Sequence, residues 1–425
     1  MNQIKPTSQS DRITSLDFLR GIAVLGILFI NIESFAYPDP WSPWKFGFET
    51  EIDRETRFWV YFLTQGKFYN MFALLFGVSF YIFLERLEKK NVGLKAMDIY
   101  ARRLLWLFAI GIIHAYFIWD GDVLYHYSIC GFLLFPFRSL KKSSLILAIG
   151  ILMGIGLSNS LILTSKRKKS YEKFVKAKTT PIEQMTPEQD SRNEYWTSKL
   201  KLNERDTTHY EAPKAYYLQG LQDSYNHSKV HKGVVYHSGL LFPTLLIMIV
   251  GMILYRSGVF HNYRTWKHYW LISLSILTLG LSINYLRYYQ WTFEYNVPVI
   301  SYWKTVLFSF PKEILGLGYI LILNGLYQRF FRSIKVNLIS KIGRTALTNY
   351  IFQNILLGLF FYGYGFSKFN QYSRFELLGI VVIVWVIQIV FTFIWLSIFN
   401  QGPLETLWRK LTYGGFTSEN EHDPK

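Results

Sequence analysis

The sequence predicts an all-α protein: a polytopic membrane bundle of about ten transmembrane helices with both termini in the cytoplasm. Half of its 425 residues are hydrophobic and only 18% are charged, whereas soluble domains carry about a quarter charged residues. The apolar residues gather into runs of roughly 20, enough to cross about 30 Å of hydrocarbon as a helix. Lys and Arg are unevenly divided between alternate connections, which favours one orientation in the membrane.

The apolar runs also predict how the chain is divided. The fourth run is short and predicts a short or tilted helix, and the second is interrupted at Gly66-Lys67, which indicates a broken helix. We expect an N-terminal membrane half (1–163), an extracytoplasmic basic loop (164–236), a C-terminal membrane half (237–400) and a cytoplasmic tail (401–425). The ten runs are 16–36, 57–84, 99–119, 123–137, 143–163, 237–256, 267–288, 303–325, 345–364 and 375–399.

The basic residues indicate orientation and partners. With a cytoplasmic N-terminus, the short inside segments hold 22 Lys and Arg and the outside segments hold 7, as expected for loops that face anionic lipid. This distribution makes the lipid bilayer the expected partner and argues against nucleic acid, despite the net charge of +17. The loop 164–236 either lies on an anionic envelope surface or forms a partly helical solvated cap. A single cysteine, Cys130, excludes a cysteine-based metal site, and no metal is expected.

Three polar residues interrupt the first apolar run. Asp17 precedes Arg20 by three positions, close enough to pair with it. Asn31 follows Arg20 by eleven positions, so the two share a helix face roughly 16 Å apart. Because polar groups in lipid are costly, they normally face a protein interior or a watery cavity. The alternative is an interfacial ion pair, with Asn31 joining helices by hydrogen bonds.

A second cluster surrounds the short break between the third and fourth runs. It comprises His114, Asp120, Asp122 and His126. A carboxylate and a histidine within hydrogen-bond reach are what general acid–base chemistry requires, and we predict Asp122 and His126 as the catalytic pair. Asp and His are also zinc ligands, although no third ligand is evident. For His114 the alternative is a histidine that only packs between helices.

Three further polar groups lie within the apolar runs. Each either lines a polar cavity or joins helices by hydrogen bonds. No nucleotide-binding, GxSxG or HExxH motif is present, and no internal repeat of the kind found in many transporters is evident. The three groups are Lys67 with Asn70, Lys312 with Glu313, and Asn349 with Gln353.

Several longer motifs carry a family resemblance. They are "LDFLRGIAVLGILFINIESF", "GKFYNMFALLFGVSF", "RRLLWLFAIGIIHAYFIWDGDVLYHYSICGFLL", "GRTALTNYIFQN" and "GPLETLWRKLTYG". On these motifs the chain is identified as a member of the YeiB-like bacterial membrane proteins, the domain of unknown function 418. The resemblance implies a multi-pass protein of the bacterial cell membrane and a loose association with transport.

The opening helix more distantly resembles the transmembrane acyltransferase superfamily. In the bacterial acyltransferases of that superfamily, an arginine is followed after ten residues by a histidine taken as catalytic. Arg20 matches the arginine, but Asn31 stands where that histidine would be. The lysosomal heparan-α-glucosaminide N-acetyltransferase instead has its histidine in the next loop, and here that loop has none. The resemblance therefore implies a base elsewhere, at Asp122 or His126.

Three functions follow as hypotheses. The first is transfer of an acyl group from cytoplasmic acyl-CoA, with no tightly bound cofactor, to an envelope glycan, lipid or small-molecule acceptor outside. The second is transport, or flipping of a lipid or small molecule, through the same polar cavity. The third is a structural or partner protein of the envelope. The residues predicted to bind donor or substrate are Asp17, Arg20, Asn31, Lys67, Asn70, Arg102, Arg103, His114, Asp120, Lys312, Asn349 and Gln353.

Overall fold

The computed structural model describes residues 13–41, 45–89, 94–177, 184–201, 239–293, 299–331 and 338–413. Within these ranges the regular elements are helices, which confirms the all-α class. Fifteen α-helices are described there: α1 Thr14–Ala36, α2 Glu51–Thr64, α3 Lys67–Lys89, α4 Leu94–Phe117, α5 Leu124–Leu134, α6 Lys142–Ala177, α7 Pro187–Lys201, α8 Leu241–Arg256, α9 Tyr269–Phe293, α10 Tyr302–Leu307, α11 Pro311–Leu326, α12 Leu338–Arg344, α13 Ala346–Phe361, α14 Arg374–Ile398 and α15 Pro403–Tyr413.

Six segments of the described chain are long and apolar enough to cross a membrane. Four of them are the single helices α1, α6, α9 and α14. The other two are α2 together with α3, and α10 together with α11 and its continuation to Phe331. The outer faces of α6 and α14 carry large apolar side chains that are more than half exposed, including Ile146, Leu147, Ile383 and Ile394. Exposed apolar faces of this extent mark interaction surfaces, and they suit the hydrocarbon of a bilayer. The described chain is therefore all-α, with six segments that have the length and composition of membrane-spanning helices.

The centre of the bundle depends on helices that approach closely at glycines. A Cβ atom on Gly343 of α12 would lie 1.7 Å from the carbonyl oxygen of Asp17, and one on Gly21 of α1 would lie 2.0 Å from that of Ile339. Gly77 of α3 and Gly251 of α8 make the same kind of backbone contact. Small residues permit such packing between membrane helices. The contact with α12 fixes the first turns of α1 beside the start of α13.

Two of the apolar runs are broken helices. In the second run α2 ends at Thr64, Gly66 takes a φ of +77°, and α3 begins at Lys67. The eighth run divides after Leu307, and Pro311 opens α11, a position that tolerates proline because the first helical N–H has no intrahelical partner. The breaks adjoin, because the Lys312 side chain packs against Gly66.

The helix of the fifth apolar run continues into the predicted basic loop. The run ends at residue 163, whereas α6 continues to Ala177, so this part of the loop is helical. Its basic extension contains no Gly or Pro that would stop a helix. Trp196 of α7 packs back on it and donates from Nε1 to Ser170 Oγ at 3.0 Å. The remaining parts of the predicted loop, 178–183 and 202–236, and of the tail, 414–425, lie outside the described residues.

Candidate active-site cavity

A cavity of about 420 Å³ lies among α1, α3, α4, α5, α13 and α15. Along α4 its lining runs from Arg103 through Leu104 to Leu107, and along α3 it runs from Arg86 to Phe72. A third path runs from Arg344 at the end of α12 to Tyr350 in α13. All three paths begin at an arginine and lead to apolar or aromatic side chains. One end of the cavity is therefore basic, and the middle is apolar and aromatic. The basic lining residues are Arg20, Arg86, Arg103, Arg344 and Arg409.

Two arginines of the basic end are held in fixed positions. Arg103 lies over the Trp408 ring, with its guanidinium carbon 3.8 Å from the centroid, and its carbonyl accepts a hydrogen bond from Trp408 Nε1 at 2.8 Å. Arg20 donates to Asp17 Oδ1 at 2.8 Å and to Ser79 Oγ at 2.7 Å. The ion pair predicted between Asp17 and Arg20 is therefore present, and it faces this cavity.

The carboxylate of Glu405 brings α15 against the start of α13. It accepts hydrogen bonds from the backbone N–H groups of Leu347 and Thr348 at 2.7 and 3.1 Å, and from the Thr348 hydroxyl. A carboxylate suits a helix N-terminus because it pairs with the unsatisfied N–H groups there. Burial raises the pKa of Glu405, while the bonds to Thr348 oppose the rise.

His114 and Asp122 form a buried pair near the opposite end. His114 Nδ1 lies 2.9 Å from Asp122 Oδ1, and the two side chains are 1% and 0% exposed. The other carboxylate oxygen accepts the backbone N–H of Tyr125 at 3.1 Å. His114 Nε2 lies 3.0 Å from Asn354 Nδ2. The Tyr350 ring connects this pair to the cavity, because it lines the cavity and lies 5.3 Å from the His114 ring.

The local sequence explains how Asp122 reaches His114. After α4 the chain turns at Asp120–Val123 and folds back, so that Asp122 meets the last turns of α4. Gly111 makes room for this return: a Cβ there would lie 2.4 Å from the Tyr125 nitrogen and 2.9 Å from Asp122 Oδ2. A proton on Nδ1 would face this carboxylate and would leave Nε2 as an acceptor toward the Asn354 amide.

His126 makes a different set of contacts. Its Nε2 is 3.1 Å from Thr244 Oγ1 and 3.6 Å from Cys130 Sγ, and Thr244 also contacts the Tyr69 hydroxyl at 2.8 Å. Asp122, which the sequence analysis paired with His126, lies against His114 instead. Asp120 is partly buried in the turn before Asp122.

The other predicted binding residues lie in different parts of the molecule. Arg103 lines the cavity, whereas Arg102 is partly exposed and pairs with Asp98. Asn31 is buried, with its Nδ2 unpartnered among the described residues, and the cavity lining does not include it. Lys67 and Lys312 lie at the two helix breaks: Lys67 donates to the Tyr61 carbonyl at 2.9 Å and lies over the Tyr288 ring.

The remaining amides of the predicted site are buried within the bundle. Asn70 packs with its Cβ atom beside Gly316. Asn349 donates to Thr345 Oγ1 at 2.8 Å and to Thr392 Oγ1 at 2.9 Å, and Gln388 donates to the Asn349 carbonyl at 3.0 Å. Gln353 accepts from Gln388 at 3.4 Å. These contacts join α13 to α14, as polar side chains do between membrane helices.

Several residues in or beside the cavity were missed by the sequence analysis. Tyr350 and Asn354 stand in the quoted "GRTALTNYIFQN" motif, and Glu405, Trp408 and Arg409 stand in "GPLETLWRKLTYG". Tyr350 and Asn354 are four positions apart, so they share one face of a helix. This spacing was the signal by which the sequence could have indicated them. Among the described residues, no group of three or more His, Cys, Asp and Glu side chains is arranged to hold a metal ion.

Comparisons with known proteins identify a family for this chain. A family model described as "Protein of unknown function (DUF418)" matches residues 254–415. The chain is 30% identical over 416 residues to "Uncharacterized protein YeiB" of Escherichia coli (strain K12), covering 95% of this chain and 96% of that protein. It is 29% identical over 425 residues to "Uncharacterized protein YxaH" of Bacillus subtilis (strain 168), covering 97% of each. The chain belongs to the YeiB-like DUF418 family. No solved structure matches.

Proposed function

We propose that this protein is a membrane-embedded acyltransferase that moves an acyl group from acyl-CoA to an envelope acceptor. The observation that carries the proposal is the cavity itself, which joins an arginine-lined end to the Tyr350 ring beside His114 and Asp122. Guanidinium groups suit the phosphates of CoA, and the apolar middle suits an acyl chain. The volume of about 420 Å³ falls in the range of roughly 300–1,000 Å³ typical of small-molecule sites.

The chemistry follows from the buried pair. In the proposed reaction Asn354 Nδ2 gives up its contact with His114 Nε2. Nε2 then accepts the proton of an acceptor hydroxyl or amine as that group attacks the thioester carbonyl, and Asp122 stabilises the imidazolium. The C–S bond breaks, an ester or amide bond forms, and the leaving thiolate takes the proton from His114. The Tyr350 hydroxyl is buried beside the Val123 backbone and the Asn354 side chain. In this mechanism it donates a hydrogen bond to the developing oxyanion.

The proposal includes an orientation. We infer ten spans in the bacterial cell membrane, formed by α1, α2 with α3, α4, α5, α6, α8, α9, α10 with α11, α13 and α14, with both termini in the cytoplasm. The distribution of Lys and Arg supports this orientation. The arginine-lined end then opens toward cytoplasmic acyl-CoA. The acceptor, a glycan, lipid or small molecule, approaches from the outer side.

The experiment is transfer of labelled acetyl groups from acetyl-CoA in membrane vesicles that contain the protein. His114→Gln is expected to reduce transfer about 10²–10⁴-fold, since it removes the general base. Asp122→Asn is expected to reduce it as well, because Nδ1 loses the carboxylate that sets its tautomer. His126→Gln is the control, because His126 contacts Thr244 and Cys130 and makes no contact with the His114–Asp122 pair. Transfer unchanged by His114→Gln would refute the mechanism.

A second candidate function is transport, favoured by the two adjoining helix breaks. Lys67 and Lys312 lie at the starts of α3 and α11, and Glu313 follows in the first turn of α11. Discontinuous helices with charged residues at their ends form substrate sites in many transporters. Flux of a solute or lipid in proteoliposomes, without covalent change and sensitive to Lys312→Ala, would favour transport over acyl transfer.

A further inference from the structure

Arg57 of α2 is fully buried and incompletely paired. Its guanidinium lies between two aromatic rings, 4.5 Å from the Tyr61 centroid and 5.0 Å from that of Trp291. Nη1 donates to Thr292 Oγ1 at 3.2 Å. Nε and Nη2 have no hydrogen-bond partner among the described residues. The side chain is therefore held by one nitrogen, by two rings and by its interaction with the Tyr61 side chain, while Nε and Nη2 donate no hydrogen bond of full geometry.

The edge formed by Nε and Nη2 has the geometry of an anion receptor. The N–H bonds of Nε and Nη2 lie in the guanidinium plane and are nearly parallel. Together they form the fork that binds a carboxylate or phosphate through two hydrogen bonds. Arginine does not lose its proton in proteins. A buried charge that is only partly compensated is unfavourable, so an anion at this edge would stabilise the guanidinium.

The nearest carboxylates of the described chain are already engaged. Glu33 accepts from Arg374 Nη1 at 2.6 Å and from the Tyr61 hydroxyl at 2.7 Å. Asp53, one turn before Arg57, accepts the backbone N–H of Phe375 and that of Thr50. In the described part of this region, two buried arginines therefore share the single carboxylate of Glu33.

We propose that Arg57 binds an oxyanion, a carboxylate or phosphate group, through Nε and Nη2. Tyr61 and Trp291 form the walls of the site. Arg57 lies near the end of α9, where Thr292 is, and Tyr61 reaches the Pro40 carbonyl in the connection between α1 and α2. The site is therefore at the helix connections and not in the apolar middle of the bundle. It stands apart from the proposed acyltransferase cavity, whose lining includes none of these residues.

Anion binding by detergent-purified protein tests the site. Inorganic phosphate and acetate are titrated at constant ionic strength against chloride, with calorimetry as the readout. Arg57→Lys keeps the charge but loses the fork, and should weaken binding about tenfold or more, since a charge-assisted bond is lost. Arg54→Lys, an exposed position on the same helix, should bind like the wild type. Equal affinity of Arg57→Lys and wild type, or no binding of either anion by the wild type, would overturn the proposal.

A second measurement covers the case in which Arg57→Lys does not fold. Crystals of the wild-type protein are soaked in selenate, and an anomalous peak is expected next to Nε and Nη2 of Arg57. Absence of a peak there, with selenate bound elsewhere, would contradict the site. Reconstitution distinguishes the sources of the anion: phosphate binding that disappears in phosphatidylglycerol nanodiscs identifies a lipid headgroup as the occupant, and binding that persists identifies a soluble anion.

Discussion

His114 and Asp122 are almost completely enclosed, yet the structure joins them directly. A buried polar pair is weak evidence for stability, because apolar residues of similar volume often serve as well. In the proposed mechanism the pair has a chemical role instead, with the carboxylate at Nδ1 and Nε2 as the proton acceptor. The two histidines also differ in their surroundings. His114 lies beside Tyr350 and the cavity, whereas His126 makes a hydrogen bond with Thr244.

Tyr350→Phe tests the proposed oxyanion donor. Loss of the hydroxyl should lower the acyl-transfer rate about 10²-fold or more, the usual effect of removing one such donor, with acyl-CoA affinity unchanged. Tyr127→Phe is the matched control: Tyr127 also lines the cavity, but its hydroxyl donates to the Tyr69 carbonyl at 2.8 Å. Rates and donor affinities from the same transfer assay check both variants. An equal loss of rate in the two variants would speak against a special role for Tyr350.

At the scale of elements, the contact between α1 and α12 holds Arg20 and Arg344 at one end of the cavity. Gly343→Ala forces a Cβ into the Asp17 carbonyl and should destabilise the protein by about 1–3 kcal/mol, as overpacking does. Gly150→Ala on α6 meets nothing within 4 Å and should be neutral or stabilise by about 0.5–1 kcal/mol, because alanine favours helix. Thermal unfolding in detergent measures both; a Gly343→Ala protein as stable as the wild type contradicts the packing.

The contact between α15 and α13 should depend on pH through Glu405. Burial raises the pKa of Glu405 above the ordinary value of 4.5, so the folded chain holds this proton more tightly than the unfolded chain does. The resulting stabilisation is complete below pH 4.5 and is lost as pH rises through the folded-state pKa. Unfolding temperatures of Glu405→Gln and the wild type, compared across that range, should diverge in favour of the variant as pH rises. A difference that is constant with pH would count against this account.

The sequence predicts elements better than it predicts partners. Apolar length is a local property, so the runs and the break at Gly66 are visible in the sequence, as is the Asp17–Arg20 pair one turn apart. The partners of Asp122 depend on how a turn folds back over Gly111, which periodicity does not encode. Asn354 is 240 positions from His114, and only tertiary packing brings them together. The continuation of α6 to Ala177 is not visible in the hydropathy, because charged helix formers extend a helix without adding hydropathy.

On the scale of the whole molecule, orientation decides which end of the cavity meets acyl-CoA. The one native cysteine, Cys130, is fully buried, so labelling of introduced cysteines should have little background. With cytoplasmic termini, an impermeant maleimide should label Gln371→Cys in intact cells and should label Lys141→Cys only after permeabilisation. Both positions are exposed. The reverse pattern would place the arginine-lined end outside the cell.

The most direct test of the central claim is binding of acetyl-CoA to the purified protein. Arg103 lines the cavity and lies over Trp408, whereas the adjacent Arg102 pairs with Asp98 and is absent from the described lining. Wild type and Arg102→Ala should bind alike, and Arg103→Ala should bind about tenfold or more weakly, through loss of a charge-assisted phosphate contact. Absence of saturable binding by the folded wild type, or equal losses in the two variants, would contradict a donor site in this cavity.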